Sequence, residues 1–146
     1  MAINKIMTNF EDAVAGVKDG STILVSGFGG AGMPTELLNA LRDQGATDLT
    51  IVSNNAGVGR EGIGGLLSEG KIRKVICSYP RSGGSVIFEE MWASGKVELE
   101  VVPQGTLSER IRAAGAGIGA FYTPTAVGTQ LAEGKEVREI MVDCRF

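Results

Sequence analysis

Four short stretches of this chain hold residue types that could do chemistry. The first is Ser26-Gly27-Phe28-Gly29-Gly30-Ala31-Gly32, in which Gly27, Gly29 and Gly32 have the Gly-x-Gly-x-x-Gly spacing of a phosphate-cradling loop. Glycines let backbone approach a ligand closely, and N–H groups at a helix start attract anions. A nicotinamide nucleotide would also need an acidic residue after the second strand to hold its ribose. That position reads Ser53-Asn54-Asn55, and the nearest acid, Asp48, precedes the strand. The same glycine spacing also suits a tight strand-to-helix turn that binds nothing. Asn54 and Asn55 can be turn residues whose side chains mimic backbone, or adjacent amides presented to a carbonyl oxygen that becomes an oxyanion. Gln104, between Pro103 and Gly105 and just ahead of a helix, is a plain loop residue or an amide aimed at the same oxygen. Arg81, in the loop Pro80-Arg81-Ser82-Gly83-Gly84, is a solvated side chain or a planar fork for a substrate carboxylate.

What is missing narrows the chemistry further. The 146 residues contain no histidine, which excludes Ser-His-Asp and Cys-His catalysis within the chain. Cys77 and Cys144 form no Cys-x-x-Cys, and two cysteines without histidine cannot build the usual zinc sites, so no metal site is expected. The pair reads as one buried and one tail thiol in a reducing compartment. Glu36 and Glu109 are explained by helix first turns, and Glu61 lies in a flexible loop. No carboxylate has a setting that would arm it as a nucleophile. Donors without a nucleophile make half of a site.

These loops need a scaffold, and the chain is long enough to bury a core for one domain. Hydrophobic residues are 43% and charged residues 21%, as in soluble globular proteins. Glycine, at 22 residues, is about twice its average share, which points to tight loops between regular elements. A net charge of −3 gives no general attraction to nucleic acid or to a membrane surface. No apolar run approaches the roughly 18–20 residues of a membrane span. The opening MAINKIMTNFEDAV lacks a signal-peptide core, so the expected location is cytoplasmic.

A strand–loop–helix cadence recurs along the chain. Thr8 to Glu11 fits a capping box, with Thr8 as N-cap, opening a helix through Val17 that Asp19-Gly20 stops. Thr22–Val25 reads as a buried strand, followed by the glycine loop and a helix that begins near Pro34. Leu37, Leu38 and Leu41 form the inner face of that helix, and Gly45 ends it. Leu49–Val52 is the second strand, Ser53–Gly57 its loop, and 63–68 a short helix. Lys74–Cys77 is the third strand. The next helix has an apolar stripe of Val86, Ile87, Met91 and Trp92, read as core, and ends at Gly95. Val97–Val102 is the fourth strand. A second capping box, Thr106 to Glu109, opens a helix through Ala114, and a glycine-rich stretch, Gly115 to Ala120, follows. Strands joined through helices make an open, mainly parallel α/β sheet with helices on both faces, and ligands bind such sheets outside the carboxyl ends of the strands.

Longer stretches resemble the α (A) subunits of class I CoA-transferases. They include GFGGAGMPTELLNAL at 27–41, DLTIVSNNAG at 48–57 and IRKVICSYPRSGGS at 72–85. KVELEVVPQGTLSERIRAAGAGIGAFYTPTAVGT at 96–129 and LAEGKEVREI at 131–140 continue the likeness. The resemblance implies the open α/β fold of that superfamily over residues 1–140. It implies transfer of CoA from succinyl-CoA to a 3-oxo acid, with 3-oxoadipate the expected acceptor and a place in the β-ketoadipate pathway of aromatic catabolism. Acetoacetate and other 3-oxo acid transferases share these motifs, and a CoA- or nucleotide-binding module without catalysis is the alternative of another class.

The family's nucleophile is a glutamate in a Ser-Glu-Asn-Gly motif of a β (B) subunit, absent here, which implies a hetero-oligomer, with α2β2 expected. No permanently bound cofactor is implied; the CoA thioester is a substrate, alongside a dicarboxylate. The family's CoA-binding segment maps onto Val25, Ser26, Gly27, Phe28, Gly29, Gly30, Ala31 and Gly32, with Ser26 standing where glycine is common. Asn54, Asn55 and Gln104 match residues that line the acyl site; Gly105 adjoins them, and Arg81 is the candidate for a substrate carboxylate. Residues 141–146 do not continue the likeness. The expectation is therefore a chain that stops before the family's closing strands and helices and is inactive by itself.

Overall fold

The structure is a computed structural model that describes residues 4–140; the tail at 141–146 and Cys144 lie outside the described residues. Four parallel strands, β1 (Thr22–Leu24), β2 (Leu49–Asn55), β3 (Ile72–Tyr79) and β4 (Glu98–Val101), lie in the spatial order β1-β2-β3-β4. Helix α1 (Phe10–Val14) precedes them, α2 (Thr35–Gln44), α3 (Ile63–Ser68) and α4 (Val86–Ala93) connect them, and α5 (Gln104–Gly115) follows. The open parallel α/β sheet is the fold that the cadence predicts. Residues 116–140 contain one 3-10 turn, Gln130–Ala132, and no strand.

Side-chain alternation divides the sheet into two unlike faces. Leu49 and Ile51 on β2, with Val75 and Cys77 on β3, point to the connecting helices and are buried. There they join Leu38 and Leu41 of α2, Ile63, Leu66 and Leu67 of α3, and Phe88 of α4 in one core. The opposite face carries Leu24, Thr50, Val52, Asn54, Lys74, Ile76, Ser78, Glu98 and Glu100, paired in register across the strands. Among the helices of the described residues, α5 packs over this second face, against β3. Glu100 holds it there, accepting from Lys74 at 2.9 Å and from Arg110 of α5 at 2.9 Å. Those two cations, Lys74 foremost, keep the Glu100 carboxyl below the usual carboxylate range.

Local details depart from the sequence reading, each for a physical reason. The first helix is capped by Asn9 rather than Thr8: Asn9 Oδ1 accepts from the Asp12 N–H at 2.7 Å, and Asn9 Nδ2 donates to Asp12 Oδ2. The box is thus shifted by one residue, and the helix ends at Val14. β1 is an edge strand with Leu24 exposed, not a buried one. Leu37 lies at the rim of α2, while Leu38 and Leu41 alone are buried. In α4 the buried anchor is Phe88; Val86 and Trp92 are more than half exposed, so the expected core stripe is split. The second capping box does not form. α5 begins three residues earlier with Pro103 rather than Thr106 at its N-cap, and Glu109 accepts a two-pronged contact from Arg112 instead.

Two close packings make sharp predictions. α3 approaches the preceding loop so tightly that a Cβ on Gly64 would overlap the Gly59 carbonyl oxygen. That oxygen is backbone and cannot swing aside, so Gly64→Ala should lower the unfolding free energy by about 2–3 kcal/mol, read from the urea midpoint. Cys77 is fully buried, and desolvation pushes its thiol up to about 11. Its folded value exceeds its unfolded one, so the folded chain holds the proton longer. Stability should therefore fall by roughly 2–3 kcal/mol between about pH 9 and pH 11. The Cys77→Ser variant should lose most of that slope, and iodoacetamide at about pH 8 should label Cys77 only in denaturant, as mapped by mass spectrometry.

Candidate active site

The carboxyl ends of β1 and β2 and the first turns of α5 enclose a cleft of about 380 Å³. Leu24, Val52, Leu107 and Ile111 form its apolar wall, while Ser26, Gly27, Asn54, Gln104 and Ser108 supply its polar lining. The cleft lies between the end of the short strand β1, the end of β2 and one side of α5. Its lining contains no carboxylate and no thiol among the described residues.

The glycine loop forms a small hairpin at the rim. Phe28 and Ala31 exchange backbone hydrogen bonds of 2.9 and 3.1 Å, with Gly29 and Gly30 at the tip. Ser26 Oγ donates to the Gly32 carbonyl at 2.9 Å and closes the base. Gly27 has φ 122°, and a Cβ there would meet backbone of Met33 and Ala31 at 3.2–3.3 Å. Phe28 is 78% exposed, an aromatic ring held out at the loop's edge. The hairpin lies between β1 and Gly32, and Met33 and the N-cap Pro34 stand between Gly32 and α2, so the first two glycines do not sit at a helix start as in a dinucleotide fold. Asp48 lies at the opposite end of β2, paired with Arg73 at 3.2 Å, and is not placed to hold a ribose.

The two asparagines are the last residues of β2 rather than loop residues, so the pleat sends them to opposite faces. Asn54 faces the cleft. Its Nδ2 donates to Gln104 Oε1 at 3.0 Å and to Ser78 Oγ at 3.2 Å. Ser78 Oγ in turn donates to Gln104 Oε1, with the Asn54 carbonyl as a second acceptor at 3.1 Å. Asn55 is buried on the core side. It donates to the Gly29 carbonyl at 3.3 Å and accepts from the Gly57 N–H at 2.9 Å, which ties the glycine loop to the strand.

Gln104 is the first residue of α5, with Gly105 beside it. The first-turn N–H groups lack intrahelical partners and add positive potential at the cleft. Arg81 is not brought to this place. It projects from the β3–α4 loop, 79% exposed, and donates to Glu89 at 3.1 Å beside Trp92 on the far side of the sheet edge. Ser78 carries no signal in the sequence that would single it out. Only the register that sets it next to Asn54 distinguishes it from any other polar strand residue.

The profile of the family described as Coenzyme A transferase matches residues 7–141. The chain belongs to that family. The A subunit of the 3-oxoadipate CoA-transferase of Pseudomonas putida is 60% identical over 138 residues, covering 94% of this chain and 60% of the relative. The A subunit of a probable succinyl-CoA:3-ketoacid coenzyme A transferase of Bacillus subtilis is 51% identical over 134 residues, covering 92% of this chain and 56% of the relative. The chain thus spans about three fifths of the length of the curated relatives it matches. An acyl-CoA transferase of Escherichia coli O157:H7, solved as a thioester complex with CoA, aligns over 73% of this chain and 22% of its own. Its TM-score is 0.63 at 30% identity. No helix among the described residues is long and apolar enough to cross a membrane.

The hairpin tip separates conformational need from tolerance within one loop. Gly29 has φ 61°, Gly30 does not have a positive φ, and neither would bring a Cβ within 4 Å of other atoms. Gly29→Val should therefore cost about 1–2 kcal/mol of stability and Gly30→Ala less than about 0.5 kcal/mol, both measured by urea unfolding.

Proposed function

We propose that this chain supplies the amide-lined half of a CoA-transferase site and works with a second, nucleophile-bearing subunit in the cytoplasm. The donor is succinyl-CoA and the acceptor a 3-oxo acid, 3-oxoadipate by the 60% identity to the Pseudomonas putida protein. The observation that carries the reading is the placement of Gln104: a carboxamide at a helix N-terminus, beside Asn54, at the mouth of a cleft whose rim is the glycine loop.

In the reaction, a carboxylate supplied by the partner attacks the thioester carbonyl. The C–S bond breaks, CoA leaves as thiolate, and an acyl–enzyme anhydride remains. The thiolate attacks the enzyme's own carbonyl of that anhydride, releasing succinate and leaving CoA on the enzyme as a thioester. The acceptor carboxylate then attacks the enzyme thioester, expelling CoA thiolate and forming a second anhydride, and the thiolate attacks the acceptor's carbonyl of that anhydride, releasing the acceptor's CoA ester and freeing the enzyme carboxylate. Every attack on a carbonyl places negative charge on its oxygen. A donor fixed in advance near that oxygen lowers each barrier, because no solvent must reorganise. Gln104 Nε2 and the first-turn N–H groups of α5 fill this role. The glycine hairpin and Phe28 lie where the pantetheine and phosphates of CoA would cross the rim, with Gly27 allowing close backbone approach. Arg81, held by Glu89 outside the cleft, takes no part in this scheme.

Mixing the chain with its cognate B subunit should produce succinyl-CoA:3-oxoadipate exchange that neither chain shows alone. Exchange with acetoacetate at a higher kcat/KM than with 3-oxoadipate would reassign the acceptor. CoA binding with no exchange in the assembled pair would reduce the chain to a binding module. Gln104→Ala should slow exchange about a hundredfold, the size of one lost oxyanion donor, with assembly intact by sedimentation. A rate within twofold of wild type would make Gln104 only a helix-start residue.

A further inference from the structure

We propose that Ser78 is a positioning residue for Gln104, fixing which end of its carboxamide faces the cleft. The inference rests on the reading of the cleft as an acyl-transfer site. A carboxamide has two ends of nearly the same shape. Its N–H₂ end can donate to an oxyanion, whereas its oxygen would repel one. The terminal torsion of glutamine is broad, so an unrestrained side chain at a helix start presents either end. Gln104 is exposed on the first turn of α5, and α5 itself supplies nothing that holds the side chain.

The hold comes from the sheet. Gln104 Oε1 receives two hydrogen bonds, one from Asn54 Nδ2 at 3.0 Å and one from Ser78 Oγ. Two donors occupy both lone pairs of that oxygen. Nε2 has no acceptor within hydrogen-bond distance among the described residues, so both of its N–H groups are available to a ligand. The Ser78 hydroxyl has a single proton with two acceptors in reach, Gln104 Oε1 and, at 3.1 Å, the Asn54 carbonyl; Gln104 Oε1 is the nearer, and Asn54 Nδ2 donates into Ser78 Oγ at 3.2 Å. The three side chains form one linked cluster in which the bond from Asn54 to Ser78 strengthens the bond from Ser78 to Gln104. Strand register makes the cluster possible. Ser53 pairs with Cys77 and Asn55 with Tyr79, so Asn54 and Ser78 stand side by side on the open face where α5 begins. The serine side chain is short enough to fit under the helix start while reaching the amide oxygen. Its place is independent of the apolar packing, since it is only partly buried and belongs to no core cluster.

The assembled enzyme and the chain alone provide separate tests. With the B subunit, Ser78→Ala should lower kcat about tenfold with KM within twofold, since one neutral hydrogen bond that orients the donor is lost. Ser78→Thr, which keeps the hydroxyl on a β-branched residue suited to a strand, should restore most of the rate. The double variant Ser78→Ala with Gln104→Ala should be no slower than Gln104→Ala alone. An unchanged kcat in Ser78→Ala, or a double variant slower by the product of the two single effects, overturns the proposal. The second arm needs no turnover. Labelling the three glutamines, Gln44, Gln104 and Gln130, with nitrogen-15 resolves their side-chain amide pairs. Ser78→Ala should move the Gln104 pair and speed its rotation while leaving those of Gln44 and Gln130 in place. An unmoved Gln104 pair overturns the proposal. If wild-type exchange is absent but the Gln104 pair moves, the functional reading fails and the positioning by Ser78 stands.

Discussion

A parallel sheet whose strands follow one another in spatial order places its crossover helices on one face, because each connection turns with the same hand. That constraint organises this molecule. With the order β1-β2-β3-β4, helices α2, α3 and α4 share one side and build the single core. The other side receives no crossover, and its residues remain mixed in character: Val52 and Ile76 beside Thr50, Asn54, Lys74, Ser78 and Glu100. Among the described residues, α5, the helix after the last strand, comes back over it. The cleft is the space between that late helix and the ends of β1 and β2.

How α5 lands decides the chemistry. Leu107 and Ala113 give it a buried edge, and the Lys74–Glu100–Arg110 cluster sets its position along β4. Partly exposed ion pairs of this kind contribute about 0–1 kcal/mol each, so the cluster is better read as a register pin than as a source of stability. Its consequence lies at the helix start. Pinned there, α5 brings Gln104 against Asn54 and Ser78, and the strand end completes the hydrogen-bonding that the helix lacks. The glycine hairpin is tied to the same strand through Asn55, so both walls of the cleft are anchored to β2. A single strand end therefore uses its two adjacent asparagines for different tasks, one toward the cleft and one toward the loop.

The chain belongs to the coenzyme A transferase family, and the identities to two A subunits extend over nearly the whole chain. The curated relatives are longer, and the exposed apolar groups here, among them Leu24, Ile111, Tyr122 and Val127, line surfaces beside the cleft and along residues 116–140. Leu24 and Ile111 are both part of the cleft's apolar wall and exposed.

Much of this was legible from residue types and spacing, because the signals are local. Runs such as Thr22-Ile23-Leu24 and Leu49-Thr50-Ile51-Val52, glycines that end helices, and strand–helix alternation specify a parallel α/β sheet through short-range sterics and hydrophobic period. The lack of histidine and the bland settings of Glu36, Glu61 and Glu109 are likewise read from residue types and their neighbours alone. Element ends were less legible: β2 runs through Asn55 because pairing with β3 extends it, and α5 starts at Gln104 because Pro103 admits a helix start that no side-chain cap announces. Which asparagine faces the cleft, why Arg81 is drawn away to Glu89, and that Ser78 belongs with Gln104 depend on pleat, register and helix placement. Those are relations between segments far apart in the chain. Residue spacing sets what each segment can become, and only packing of one segment on another sets which side chains meet.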